Sequence, residues 1–143
     1  MTLIQTMRTQ FTTLDPDSAI ERAIEEMTRA GHWLLPVCVG SRLVGSLSLR
    51  DLVAAISRAD GGQGARTVAE AMDRSPLRCG METSLEDVRS LICSSRQPAI
   101  CVTSTDDDLV GMIDAFAVID SLTIPQAFSG PEPEEVRQVR GNL

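Results

Sequence analysis

The sequence is poor in the groups from which metal, membrane and catalytic sites are built. It has one histidine and four cysteines, Cys38, Cys79, Cys93 and Cys101, without a C-x-x-C pair, which argues against a zinc site and a disulfide scaffold. Cys38 and Cys101 lie in apolar runs and read as small core residues. No apolar run approaches bilayer length, and Met1-Thr2-Leu3-Ile4-Gln5-Thr6 lacks the basic-then-apolar order of a secretion signal, so a cytoplasmic protein is expected, with no membrane partner. Basic residues are outnumbered, 13 Lys and Arg against 20 Asp and Glu, for a formal net charge of −7. Nucleic acid and anionic membranes are bound through clustered Lys and Arg, so neither is expected as the main partner. Any anionic ligand has to be met by a local basic group. The chain has no Ser/His/Asp order, and the sequence assigns His32 no partner, so no catalytic residue and no enzyme activity are expected.

What is present is a repeat. With 143 residues and 43% hydrophobic content the chain can bury a core, as one ordinary domain or two tightly joined small ones. The apolar run Gly45-Ser46-Leu47-Ser48-Leu49-Arg50-Asp51 is echoed by Gly111-Met112-Ile113-Asp114-Ala115-Phe116-Ala117. Met72 answers Met7. Ser18 and Glu21 have capping-box spacing ahead of Ile20, Ala23, Ile24 and Met27, and Thr83-Ser84-Leu85-Glu86 repeats it ahead of Val88 and Ile92. Gly31 supplies a helix stop. Leu34 to Val39, the turn Gly40-Ser41 and Leu43 to Leu47 read as a strand pair, with Pro36 near a strand start or edge because it cannot donate to a ladder. A helix follows from about Ser48, with Leu49, Leu52, Val53 and Ile56 on one face. The second pair is Ala99 to Val102 and Leu109 to Ile113, joined through Asp106-Asp107-Asp108, which is read as a solvated turn, with calcium as a remote alternative. The closing helix carries Ala115, Val118, Ile119 and Leu122.

The expected organisation is a first repeat over residues 1–60, a linker over 61–66, a second repeat over 67–124 and a loose acidic, proline-rich tail over 125–143. The glycines at 61, 62 and 64 are no Walker loop, because Ala65-Arg66-Thr67 stands where G-K-[ST] would open a helix. Met27, Met72, Met81 and Met112 are read as core residues, His32 and Trp33 as core or dimer-contact residues, and Arg96 as a solvated charge.

The two copies resemble a tandem pair of CBS domains, the unit also called a Bateman module, over about residues 3 to 123. The resemblance is carried in the first copy by Met7, Thr13-Leu14-Asp15-Pro16-Asp17, Ala23 with Met27, Gly31, Leu35-Pro36-Val37, and Leu43-Val44-Gly45 running to Ser48 and Asp51. In the second it is carried by Val68-Ala69-Glu70-Ala71-Met72, Leu85 and Leu109-Val110-Gly111, while Pro98-Ala99-Ile100-Cys101-Val102 lacks the usual proline position. It implies an α/β fold of two pseudo-symmetric β-α-β-β-α repeats packed through their sheets, and a homodimer formed through helix faces. It also implies regulatory binding of an adenosine derivative in a cleft between the copies, the change being passed to an effector protein in trans. AMP-like ligands are favoured over ATP, with ADP and S-adenosylmethionine as further candidates; no cofactor is required.

The family's ribose-binding G-x-x-[ST]-x-x-D segment maps to Gly45, Ser48 and Asp51, and the adenine slot to the segments around Thr13 and Leu35-Pro36. The chemistry agrees, since an ionised carboxylate has two oxygens to receive the two ribose hydroxyls. Free N–H groups at the helix start beside Ser48 favour a phosphate, and Arg50 adds charge if it faces the cleft. Relatives place a basic residue two positions before the strand proline, where this chain has Leu34 and Ala99, which disfavours a triphosphate. Ser48-x-x-Asp51 is equally a capping box. The second copy keeps a capping side chain, Asp114, but has Ala117 in place of the acid, which points to a role for Asp51 beyond capping and to one competent site or none. The alternative function is a ligand-free dimerisation or scaffold module.

Overall fold

The computed structural model describes residues 2–59 and 66–122. Of the expected linker only Arg66 is among them, and the tail over 125–143 lies outside the described residues. In chain order the elements are α1 (Leu3–Thr6), α2 (Ile20–Ala30), β1 (Leu34–Val39), β2 (Arg42–Ser48), α3 (Leu49–Ala59), α4 (Val68–Ala71), β3 (Arg78–Gly80), α5 (Leu85–Ser95), β4 (Ala99–Thr103), β5 (Leu109–Asp114) and α6 (Ala115–Leu122). The repeat is therefore structural as well as sequential.

The long helices form where the apolar spacing predicts, but their starts differ from it. Ile20, Ala23 and Met27 are buried on one face of α2. The Ser18-Glu21 capping box does not form; Ala19 is the N-cap, without a side-chain bond. The backbone here is paired with the segment after the linker instead. The Ile20 N–H donates to the Arg66 carbonyl (3.0 Å) and the Val68 N–H to the Ser18 carbonyl (2.9 Å), so an otherwise orphaned helix donor is met by main chain. In α5 the cap is one residue later than expected, Ser84 accepting from the Asp87 N–H at 3.1 Å. Both helices end in a left-handed residue, Gly31 (φ 69°) for α2 and Arg96 (φ 58°) for α5. Glycine takes that conformation freely and arginine does not.

β1 and β2 form an antiparallel hairpin, while β3, β4 and β5 form a three-stranded sheet with β3 parallel and β5 antiparallel to β4. The first copy's opening strand is reduced to one parallel bridge, Leu14 with Val37. The Leu14 N–H donates to the Pro36 carbonyl and the Cys38 N–H to the Leu14 carbonyl, both at 2.9 Å. The next donor in that ladder belongs to residue 16, a proline, so the strand goes no further. Pro36 itself sits third in β1 with its ring nitrogen on this sparsely paired side, as its missing donor requires.

Three cores result. Leu14, Ile20, Leu35, Val37 and Leu52 fill the first copy, and Val88, Ile100, Val102, Ile113 and Val118 the second. Between the sheets, Leu34, Cys38 and Leu43 meet Ala99, Cys101, Leu109 and Met112. Burial pushes the Cys38 thiol up to about 11 and the Cys101 thiol up to about 12, consistent with inert core residues. Met81, read as core, is exposed on the turn after β3.

The leading segments cross over. Leu3 of α1 is buried in the second copy's core and Val68 of α4 in the first copy's. Each brings a methionine against a glycine of the facing β-strand: a Cβ on Gly45 would lie 2.6 Å from the Met72 sulfur, and one on Gly111 would overlap the Met7 side chain. The repeated Met and the repeated Gly are thus one contact seen twice.

Candidate functional site

β2 delivers Ser48 to the start of α3, held beside Leu34 by the hairpin register. The Ser48 N–H and hydroxyl both donate to Asp51 Oδ2, at 2.9 and 3.0 Å, and the Asp51 N–H donates to Ser48 Oγ at 3.2 Å. The capping box is therefore formed. It occupies one carboxylate oxygen; Oδ1 of the half-buried Asp51 has no protein donor among the described residues. The helix start is less open to an anion than expected, because the Leu49 N–H is already given to the Trp33 carbonyl (3.0 Å) and the Asp51 N–H to Ser48.

Beside this cap lies a cavity of about 300 Å³. Ser48 and Arg50 line it from the first copy, and Arg96, Gln97 and Pro98, on the turn between α5 and β4, line it from the second. Two guanidinium-bearing residues thus border one hollow. Arg50 is exposed and is among the residues that line this cavity. Of the other residues assigned to the site, Thr13 is exposed on the segment before Leu14 and does not line this cavity. Leu35 is buried in the first copy's core and Pro36 is fully buried in β1. An apolar wall comes instead from Pro98 and from Trp33, which is 59% exposed and so not a core residue. The sequence signal for the second copy's share was the replacement of the helix-ending Gly31 by Arg96, a residue type unsuited to that conformation.

The pseudo-symmetric cleft is larger, about 440 Å³, and more apolar. Trp33, Phe116 and Ile119 line it, the two rings edge to face with centroids 6.4 Å apart. Asp114, at the position of Ser48, lines this cleft but is already engaged within the protein. Arg8 donates to both of its oxygens, from Nε at 2.7 Å and Nη2 at 3.1 Å. With Ala117 in place of the second acid, this cleft offers no free carboxylate from the β5–α6 junction.

The acidic loop is spent on structure. Asp107 pairs with Arg78 (3.3 Å), Asp108 accepts from the Ser41 hydroxyl (2.8 Å), and Ser104 Oγ caps the turn. No helix among the described residues is long and apolar enough to cross a membrane.

Residues 3–58 match the family model of the CBS domain. Over 103 residues, 72% of the chain, the sequence is 28% identical to an inosine-5′-monophosphate dehydrogenase of Korarchaeum cryptofilum, of whose length it spans 20%. The fold is similar to that of CBSX2 of Arabidopsis thaliana in complex with AMP, with a TM-score of 0.72 and 25% identity over 81% of this chain and 90% of that one. It is similar also to a CBS domain pair in complex with 5′-methylthioadenosine and S-adenosyl-L-methionine, with a TM-score of 0.76 and 15% identity over 85% of this chain and 98% of that one.

Proposed function

We propose that this chain, which belongs to the CBS domain family as a pair of CBS domains, is a non-catalytic regulatory module binding an adenosine derivative at the cleft beside Ser48 and Asp51. The observation that carries the reading is a cavity walled by both copies and lined by Ser48, whose capping partner Asp51 does not itself line it but has an Oδ1 with no protein donor among the described residues. A ribose offers two adjacent hydroxyl donors, and a carboxylate already held by a cap is pre-positioned to accept them. Arg50 and Arg96 would face the phosphate of a ligand so placed, which favours a nucleoside monophosphate such as AMP over adenosine alone. The complexes of CBSX2 with AMP and of the other CBS pair with S-adenosyl-L-methionine support this ligand class.

Because the cleft is bounded by both copies, a ligand there favours one relative arrangement of them. At about one hundred times its dissociation constant it biases that equilibrium by about 2.7 kcal/mol. The output is passed in the cytoplasm to a second copy and to a partner protein. Leu49, Val53 and Ile56 on α3 and Phe116 and Ile119 on α6 are exposed apolar side chains suited to a homodimer face. Thermal-shift titration with AMP, ADP, ATP and S-adenosylmethionine, checked by calorimetry on wild type and Asp51→Ala, tests the reading. Stabilisation by AMP in wild type and its loss in the variant are expected; no shift with any ligand overturns it.

A ligand-free dimerisation module is the second reading, favoured by the completed Ser48-Asp51 cap, which accounts for both residues without a ligand. It predicts an intact dimer by sedimentation that no adenosine compound stabilises.

A further inference from the structure

A second basic hollow lies away from the Ser48 cleft. Arg42 at the start of β2, Arg74 after α4 and Arg78 at the start of β3 converge on a cavity of about 610 Å³, with Val44 and Pro76 among its apolar walls. We propose that these three arginines form a binding site for a phosphate-bearing small molecule, distinct from the nucleoside cleft.

The charge balance carries the argument. Among the described residues Asp107 is the only carboxylate lining the cavity, and it meets Arg78 through one contact of 3.3 Å. Arg74 donates to the Ala69 carbonyl at 3.3 Å, and Arg42 has no side-chain partner among the described residues. Three arginines and one acid therefore line this hollow, with Asp108 paired to Arg42 through the backbone and its carboxylate taken by Ser41, in a chain with 20 acidic residues to 13 basic ones. Like charges gathered in one hollow repel, and a bound anion removes that cost.

The pseudo-equivalent corner is built without arginines. Across the pseudo-twofold axis, Met7 corresponds to Met72, Leu14 to Cys79 and Gly45 to Gly111, which sets Thr9, Thr13 and Asp108 opposite Arg74, Arg78 and Arg42. The same corner is thus built on the other side from two threonines and an aspartate. The backbone beneath the arginines is held at several points: the Leu43 N–H donates to the Asp107 carbonyl (3.0 Å), the Leu109 N–H to the Ser41 carbonyl (2.8 Å), and Ser46 and Asp73 exchange backbone bonds. A fixed frame with flexible cationic arms suits an anion of variable size. Guanidinium forks match the paired oxygens of phosphate, and the concave shape and volume favour a small molecule.

The test is a titration of the full chain with inorganic pyrophosphate, followed by amide NMR shifts and calorimetry. Saturable shifts at residues 42–44, 74–78 and 107 are expected, with affinity reduced about tenfold or more in an Arg42→Gln/Arg78→Gln variant and unchanged in Asp51→Ala. The single Arg42→Gln variant, which breaks no described side-chain bond, shows a smaller loss and serves if the double variant unfolds. Shifts confined to the Ser48 cleft, absence of saturation, or equal affinity in wild type and Arg42→Gln overturns the proposal.

Discussion

The two clefts share one plan and differ in what has become of their acids. Beside Ser48, one oxygen of Asp51 completes a helix cap and the other has no protein donor among the described residues. In the pseudo-equivalent place Asp114 is tied through both oxygens to Arg8, and the second acid is Ala117. A helix starts in both places, so capping alone does not demand two polar side chains. The difference teaches that the same junction can start a helix in two ways: in the first copy its acid closes a local cap, and in the second it ties the leading segment to β5.

The largest expected effect breaks this contrast at its centre. Asp51→Ala removes the whole ligand stabilisation, about 2.7 kcal/mol at one hundred times the dissociation constant, whereas Asp114→Ala leaves the AMP thermal shift unchanged and lowers only the intrinsic stability. Calorimetry of the two variants side by side checks both halves.

The crossover contacts are next. Gly45→Ala is expected to cost about 2 kcal/mol and Gly111→Ala about 1 kcal/mol in urea unfolding. On Gly45 the new Cβ would lie 2.9 Å from the Asp73 carbonyl oxygen as well as against Met72, and that carbonyl is held by strand pairing and cannot yield. On Gly111 the three nearest atoms all belong to the Met7 side chain, which can rotate away. Equal costs would show that the two halves relax alike.

The helix ends sharpen the comparison at smaller cost. Gly31→Ala is expected to destabilise by about 1 kcal/mol, because φ 69° is strained for alanine. Arg96→Gly relieves the same strain and stabilises by about 0.5 kcal/mol, offset by the greater entropy of an unfolded glycine. The same variant weakens AMP while leaving adenosine unaffected, so a rise in Tm accompanied by loss of the monophosphate preference is the outcome to look for. Unchanged AMP affinity would leave Arg96 as a structural oddity.

The smallest effect concerns the buried thiols. Their pKa is raised in the folded state, so the stability they contribute is complete below the unfolded value of about 9 and is lost as pH rises towards about 11 for Cys38 and about 12 for Cys101. Native protein at pH 8 should therefore modify quickly at the exposed Cys93 and slowly at Cys38 and Cys101.

Much of the fold was legible because its signals are local. Helical spacing of Ile20, Ala23 and Met27, the glycine stop, the hairpin turn and the recurrence of the whole order each lie within a few residues of one another. The cap of Ser48 by Asp51 was legible for the same reason. What local signals do not carry is long-range pairing. The start of α2 is set by the carbonyl of Arg66, and the cavity beside Ser48 takes part of its lining from residues 96–98 of the other copy.

By itself, then, the sequence determined the two-fold repetition, the α/β elements and the loss of one acid in the second copy, all of which follow from nearest-neighbour chemistry and burial periodicity. Only the tertiary structure decided that the leading segments cross between copies, that Arg8 occupies Asp114, and that Arg50 and Arg96 come to one cavity while Arg42, Arg74 and Arg78 come to another. These are meetings of residues far apart in the chain, specified by how two sheets pack face to face, and no spacing along a single strand or helix encodes them.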